Sequence, residues 1–386
     1  MPKNHERRAF DEGFRFSPRE VSFVGTSGAG KTTLVCRLTR QLAPRYRVGY
    51  IKHNAHRIEM DREGKDTWRA RQSGASDVLM GDGTQAAWLH DGEVEEPLAH
   101  SLFQGCDIVL VEGYRRAPEL PKVVVLDPGL SILEEIKRGD VTGVIAYVRP
   151  HDREVAVPES CTPLFQPDDA AGISAFILRH LRDRALQAPL YGLVLSGGAS
   201  KRMQRDKAAL AYHGLPQVQH AAGLLASRCT RVFVSTRAER AEDPLFRGLE
   251  QIHDTFVGFG PMGGLLSAFH AHPAAAWLVL GCDLPFVTAA TLDRLLAARD
   301  PLRHATAYRS PEDGLPEPLC ALYEPPYRRR LLQIFSEGRY CPRKALIASR
   351  AHILESAGPG ELDNVNDPAQ YEQAVHRLKA VAGTTR

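Results

Sequence analysis

No two of the seven cysteines (Cys36, Cys106, Cys161, Cys229, Cys282, Cys320 and Cys341) stand at CxxC spacing, and their number is odd. A disulfide framework or a zinc-ribbon site would show paired, closely spaced cysteines. The thiols read as reduced residues of a cytoplasmic protein. Excess charge is missing too: 49 basic and 46 acidic residues leave a formal net charge of +3. That lacks the basic surplus of a nucleic-acid partner, so any anion site must be local. No apolar run approaches the ~20 residues that span a bilayer. The charged opening MPKNHERRAFDEGFRF lacks the apolar centre of a signal peptide. Residues 1–17 read as a tail, and neither a membrane nor a nucleic acid is expected as partner.

The 386 residues, 43% hydrophobic and 25% charged, suffice for two globular domains. Two short apolar runs are each followed at once by a glycine-rich loop and a helical pattern. The first is Val21–Val24 with GTSGAGKTT, and the second is Tyr191–Leu195 with SGGASKRMQRDKA. Strand, glycine loop and helix open many phosphate-binding α/β domains. Further runs at Val48–Ile51, Ile108–Val111, Val123–Leu126, Val144–Val148, Val232–Val234 and Trp277–Leu280 fit buried parallel strands. Helical patterns lie between them, at Leu34–Leu42 and Leu292–Ala298 for example. The amphipathic stretch Gly172–Leu181 would close the first domain. The expected division is a tail at 1–17, an α/β domain at 18–185 built on a P-loop-type parallel sheet, and a Rossmann-like α/β domain at 186–386.

Gly25-Thr-Ser-Gly28-Ala-Gly30-Lys31-Thr32 matches G-x-x-x-x-G-K-[ST] in full. Its glycines let successive amides turn inward around phosphate, and the helix that follows adds its N-terminal partial charge. Lys31 would reach the β- and γ-phosphates, and the Thr32 hydroxyl would hold Mg²⁺. A second magnesium-side group is expected at a strand's carboxyl end, where Glu112 closes DIVLVEG. Asp107, at the start of that run, reads as a solvent-facing strand opener. His53 and His56 read as residues of a solvated loop rather than as a metal pair.

The second loop lacks this spacing but offers Gly197 and Gly198 for close backbone approach, with Arg202 and Lys207 as fixed positive charge. Such a loop suits neutralisation of a triphosphate as pyrophosphate departs. Asp283 ends the apolar run WLVLGCD before Pro285, where it could hold Mg²⁺. Asp254 could accept hydrogen bonds from guanine or ribose. Asn364 and Asn366 present amides before a proline-started helix, with Asp367 as its cap.

GTSGAGKTTL, VGYIKHNAH, GKDTWRARQSGA and LVEGYRRAPELPKV, in this order, resemble the MobB family of GTP-binding proteins that assist molybdenum cofactor guanylylation. The resemblance implies GTP at Gly28, Gly30, Lys31, Thr32 and Thr33, and places Asp66 and Glu112 on the nucleotide and magnesium side. LSGGASKRMQRDKA, YHGLPQ, HDTFVGFGPMGGLLSAF, LGCDLPF, EPLCALY and LDNVNDP resemble the MobA family of molybdenum cofactor guanylyltransferases, within the glycosyltransferase-A-like nucleotidyltransferases. That resemblance implies GTP contacts through the backbone of Leu195, Ser196 and Gly197. It further implies phosphate at Lys207, the guanosine side at Asp254 and Mg²⁺ at Asp283. Gln204 stands where the family usually has glycine, and Ser235 near a position it often gives to asparagine.

The expected reaction is transfer of GMP from GTP to the terminal phosphate of Mo-molybdopterin, giving the guanine dinucleotide and pyrophosphate, with Mg²⁺ as cofactor. Two alternatives stay open: CTP in place of GTP, or a non-catalytic GTP-dependent adaptor that binds the molybdenum cofactor. Molybdoenzyme apoproteins or their chaperones are candidate recipients.

Overall fold

The structure, a computed structural model, describes residues 19–53, 61–92, 102–150, 155–157, 162–196, 203, 205–349, 351–355 and 357–384. The expected tail at 1–17 lies outside them. The chain divides into two compact units, Met1–Leu181 and Arg182–Arg386. No described helix is long and apolar enough to cross a membrane.

The N-terminal unit holds strands β1 (Glu20–Val24), β2 (Val48–Lys52), β3 (Asp77–Gly81), β4 (Ala86–His90), β5 (Ile108–Glu112), β6 (Lys122–Val125), β7 (Val144–Val148) and β8 (Leu164–Phe165). Six of them form one sheet in the order β2-β5-β1-β6-β7-β8, all parallel. Every residue of β1, β5 and β6 is buried, which is why those runs are apolar without alternation. β2 differs from the expected buried strand: it is the sheet edge, and Tyr50 is 42% exposed. Helix α1 (Lys31–Leu42) covers the sheet with Leu34, Val35, Leu38 and Leu42, one stripe at helical spacing. Helices α2 (Asp66–Gln72), α3 (Ile132–Lys137) and α4 (Ala170–Ala185) follow. The antiparallel hairpin of β3 and β4 was not anticipated, since its residues lack a clean apolar alternation.

The C-terminal unit holds β9 (Leu190–Leu195), β10 (Arg231–Thr236), β11 (Glu250–His253), β12 (Ala276–Gly281), β13 (Ala305–Arg309), β14 (Pro316–Tyr323) and β15 (His352–Leu354). Its sheet runs β11-β10-β9-β12-β14-β13-β15. The first four strands are parallel, whereas β14 is antiparallel to both neighbours. Side chains of β12 alternate between two cores, Trp277 and Val279 in one, Leu278 and Leu280 in the other. Helices α5 (Gln217–Ala226), α6 (Pro261–Ala271), α7 (Ala289–Ala297), α8 (Tyr327–Ser336), α9 (Pro342–Ile347) and α10 (Pro368–Thr384) complete the unit. Strand order reverses between β9 and β12, and such a reversal leaves a crevice at the carboxyl ends of the strands.

Candidate nucleotide sites

In the N-terminal unit the loop Gly25–Gly30 joins β1 to α1. Gly28 and Gly30 have φ of +80° and +92°, a region costly for residues with a Cβ. A Cβ on Gly25 would lie 2.4 Å from the Val125 carbonyl oxygen, so the loop can pass β6 only as glycine. Gly30 caps α1 without a side-chain hydrogen bond, which leaves the first amides of the helix for an anion. Lys31 Nζ donates to the carbonyls of Gly25 (3.1 Å) and Thr26 (2.7 Å), folding back over the loop. Burial pushes its pKa down. Glu112 opposes that shift, while Arg115 and Lys52 add to it.

Glu112 gathers the rest of this site. It ends β5, whose register sets it beside Lys52 at the end of β2. Thr32 Oγ1 donates to both its oxygens, at 3.0 and 2.8 Å, and the Tyr50 hydroxyl donates at 2.7 Å. Lys52 Nζ lies 3.5 Å away. Burial pushes the Glu112 carboxyl up, but the Tyr50 and Thr32 hydrogen bonds and the lysine charges outweigh it, and the net shift is downward. Thr32 and Glu112 therefore present a hydroxyl and an ionised carboxylate side by side, a hard-oxygen pair suited to Mg²⁺. Asp66 opens α2, exposed, with no hydrogen bond to Thr32 or Glu112 among the described residues.

Asp107 corrects an expectation: it is 2% exposed rather than solvent-facing. Its carboxylate accepts the Arg47 amide at 2.8 Å, tying the entry of β5 to that of β2. Sequence reasoning also passed over Tyr50 and Lys52, whose spacing of two on β2 was the available signal. Arg115 was missed as well; its Nη2 lies 3.4 Å from the Gly25 carbonyl, and Glu135 accepts from its Nη1. His53 is exposed and packs on the Tyr114 ring at 4.7 Å, while His56 lies outside the described residues.

In the C-terminal unit the crevice between β9 and β12 holds two linked groups. In one, Lys207 Nζ donates to Asn366 Oδ1 at 2.7 Å and lies 3.7 Å from Asp283 Oδ2. The Val365 amide donates to the Asp283 carbonyl at 2.9 Å, holding the 364–366 segment against the end of β12. Burial pushes the Asp283 carboxyl up, partly opposed by Lys207. Its Oδ1 is buried without a hydrogen-bond partner, and so is Oδ1 of Asn364. A buried carboxylate oxygen without a donor is costly, and a bound cation would satisfy it. A Cβ on Gly281 would stand 2.6 Å from that oxygen, so glycine there gives the carboxylate its room.

In the other group the Ser235 hydroxyl donates to Asp254 Oδ1 at 2.6 Å, and the Ser196 hydroxyl to the Ser235 carbonyl at 2.7 Å. Gly264 lets this group close, since a Cβ there would meet Ser235 Oγ at 2.5 Å and Leu195 Cδ2 at 2.7 Å. Burial pushes the Asp254 carboxyl up, against the Ser235 hydrogen bond. The Leu195 carbonyl accepts the Cys282 amide at 3.2 Å. Gly197, Gly198 and Arg202, with Gln204, lie outside the described residues. Asp367 accepts the Gln370 amide at 2.9 Å, the expected cap of α10.

Glu317 was given no role from sequence, although it stands in EPLCALY. The β12–β14 register pairs Leu280 with Cys320, and its continuation brings Glu317 towards Asp283. Glu317 is 2% exposed, accepts from the Leu319 amide at 2.8 Å and from Arg343 at 3.1 Å, and is pushed up by burial, with Asp283 adding to the shift. Among the described residues no group of three or more His, Cys, Asp or Glu could hold a metal alone.

A parallel sheet carrying a phosphate loop in one unit, and a lysine–carboxylate pair at a strand-order reversal in the other, define a two-unit α/β protein of the nucleotide-binding class. Residues 21–148 match the family model described as molybdopterin guanine dinucleotide synthesis protein B, and residues 192–353 match the MobA-like NTP transferase domain. A molybdenum cofactor biosynthesis bifunctional protein of Synechocystis is 35% identical over 191 residues, 48% of this chain and 54% of that protein. A molybdopterin-guanine dinucleotide biosynthesis adapter protein of Haemophilus influenzae is 35% identical over 27% of this chain and 61% of its own length. The chain thus spans between about half and two thirds of these two relatives. A protein of Deinococcus radiodurans named probable molybdenum cofactor guanylyltransferase is 32% identical over 48% of this chain and 93% of its own length. The chain belongs to the molybdenum cofactor guanylyltransferase family through its C-terminal unit, and a MobB domain precedes that unit.

Proposed function

We propose that the C-terminal unit transfers GMP from GTP to the terminal phosphate of Mo-molybdopterin, and that the N-terminal unit binds GTP as an accessory domain. The observation that carries the transferase reading is the partly buried Asp283 carboxylate, whose buried Oδ1 lacks a donor, beside Lys207 at the end of β12.

An oxygen of the acceptor phosphate attacks the α-phosphorus of GTP. The bond from that phosphorus to the bridging oxygen of the β-phosphate breaks, and pyrophosphate leaves with the electron pair. The acceptor is already an anion, so no side chain need serve as a covalent nucleophile. Mg²⁺, held by Asp283, would supply positive charge to the triphosphate. Lys207, fixed by Asn366, adds a second positive charge on the phosphate side. Gly197, Gly198 and Arg202 are assigned to the phosphates as well. The Leu195 and Ser196 backbone and Asp254, held by Ser235, receive the guanosine side. In the N-terminal unit Gly25, Gly28, Gly30, Lys31, Thr32 and Thr33 receive the phosphates of the second GTP, and Thr32 and Glu112 its Mg²⁺.

The test is pyrophosphate release by the purified chain with Mg²⁺, molybdenum-loaded molybdopterin and either GTP or CTP. Release with GTP and formation of a guanine dinucleotide is the expected result. Release with CTP alone would move the base assignment, and release with neither would reduce the unit to an adaptor.

A further inference from the structure

Beside the phosphate loop of the N-terminal unit lies a cavity of about 160 Å³ lined by Gly30, Thr33, Arg37, Val125, Arg149 and Pro167, among others. Sheet order fixes its place. Glu112 and Tyr50 stand on β5 and β2, on one side of β1, whereas the cavity is walled by the ends of β6 and β7, on the other. The metal-side group and the cavity therefore flank the loop, and a triphosphate with its metal end at Glu112 directs its nucleoside towards the cavity.

The lining suits a flat heterocycle read by donors. Val125, Leu126, Val148, Pro150 and Pro167 give apolar walls. The described lining residues include no carboxylate or amide side chain. Two guanidiniums supply the polar chemistry, and both are held. Arg37 Nη1 donates to the Pro167 carbonyl at 3.1 Å, and Arg149 Nε to Gln166 Oε1 at 2.8 Å. With Nε of Arg149 tied, its two Nη groups, which have no hydrogen-bond partner among the described residues, remain as a donor fork. Guanine offers two acceptors on one edge, N7 and O6, which match such a fork; adenine offers N7 beside an N6 donor.

We infer that this cavity is the base subsite of the N-terminal unit and that Arg149 selects a 6-oxopurine over adenine there. The inference rests on the reading of that unit as a nucleotide site. Because the fork reads O6 and N7, hypoxanthine is accepted like guanine, and the 2-amino group contributes little.

The test uses the full chain carrying Lys207→Ala and Asp283→Ala, which remove the lysine and the metal-side carboxylate that would hold a triphosphate in the C-terminal centre. It is titrated with fluorescent GTP, ITP and ATP analogues in Mg²⁺ buffer. GTP and ITP are expected to bind alike and about tenfold or more tighter than ATP, the discrimination of one bidentate arginine. Adding Arg149→Ala should bring GTP and ITP down to the ATP affinity and leave ATP unchanged, which also shows that the variant is folded. Equal affinities in the parent, a preference that survives Arg149→Ala, or an equal loss of all three nucleotides would each overturn the inference. Lys31→Ala on the same background separates the two levels. It should abolish binding of all three nucleotides, and undiminished binding would overturn the phosphate-loop reading itself.

Discussion

Asp283 is under opposing demands, and the conflict is measurable. Its pKa is raised from the usual 3.8 by burial. A carboxyl raised on folding contributes stability that is present at low pH and lost as pH rises through its folded pKa. At neutral pH the ionised group therefore strains the metal-free chain. Asp283→Asn should raise the melting temperature of the metal-free C-terminal unit by roughly 2–4 °C, the shift that about 1 kcal/mol produces at this size. The same substitution should abolish pyrophosphate release. A lower melting temperature would show that the Lys207 pair outweighs the cost of burial. In the parent protein, kcat/KM for release should decline on acidification, because the Asp283 carboxyl, raised by burial, must lose its proton before it can hold a cation; a pH profile of kcat/KM checks it. Lys207 and Asn366 also show why sequence was only a partial guide. The phosphate loop is a local motif, and each of its roles could be read within eight residues. The Lys207–Asn366 contact joins positions 159 apart, and no local pattern records it.

At the scale of elements, the C-terminal centre depends on a segment that is neither strand nor helix. Residues 361–366 carry Asn364 and Asn366 and reach the end of β12 through Val365. Glu361 anchors them: its Oε2 accepts from Thr291 Oγ1 at 2.6 Å and from Arg294, both on α7. Thr291 also closes the capping box of that helix with Thr288. Glu361→Ala should cost about 1–2 kcal/mol of stability in denaturant unfolding, the range for a charged hydrogen-bond partner with some exposure. It should also raise KM for GTP more than it lowers kcat, because it loosens the position of Asn366 without touching Asp283. An unchanged KM would release the segment from that role. Elements of this kind were the least legible in the sequence. The all-buried strands β1, β5 and β12, and β9 with its last four residues buried, announce themselves as apolar runs. β14 contains Glu317 within its run, and its antiparallel direction follows from a pairing that only the assembled sheet reveals. Asp107 was misjudged for a related reason: its partner is an amide from another segment, and that contact makes burial tolerable.

For the whole molecule, the two sites belong to separate compact units, each with its own sheet and core. Every described residue of the lysine–carboxylate centre lies in Arg182–Arg386, and every described residue of the phosphate-loop site in Met1–Leu181. If the covalent chain serves to raise the local concentration of one unit's ligand near the other, its effect appears as apparent affinity and not as chemistry. Lys31→Ala should then leave kcat for pyrophosphate release within about twofold at saturating molybdopterin, whereas Asp283→Ala removes it. Any cost of Lys31→Ala should appear in KM, at limiting molybdopterin. A tenfold fall in kcat for Lys31→Ala would have a different meaning: it would place the phosphate loop in the rate-limiting step of the transfer. Steady-state kinetics of the two variants, run at low and at saturating acceptor, separate a tethered accessory domain from a second catalytic half.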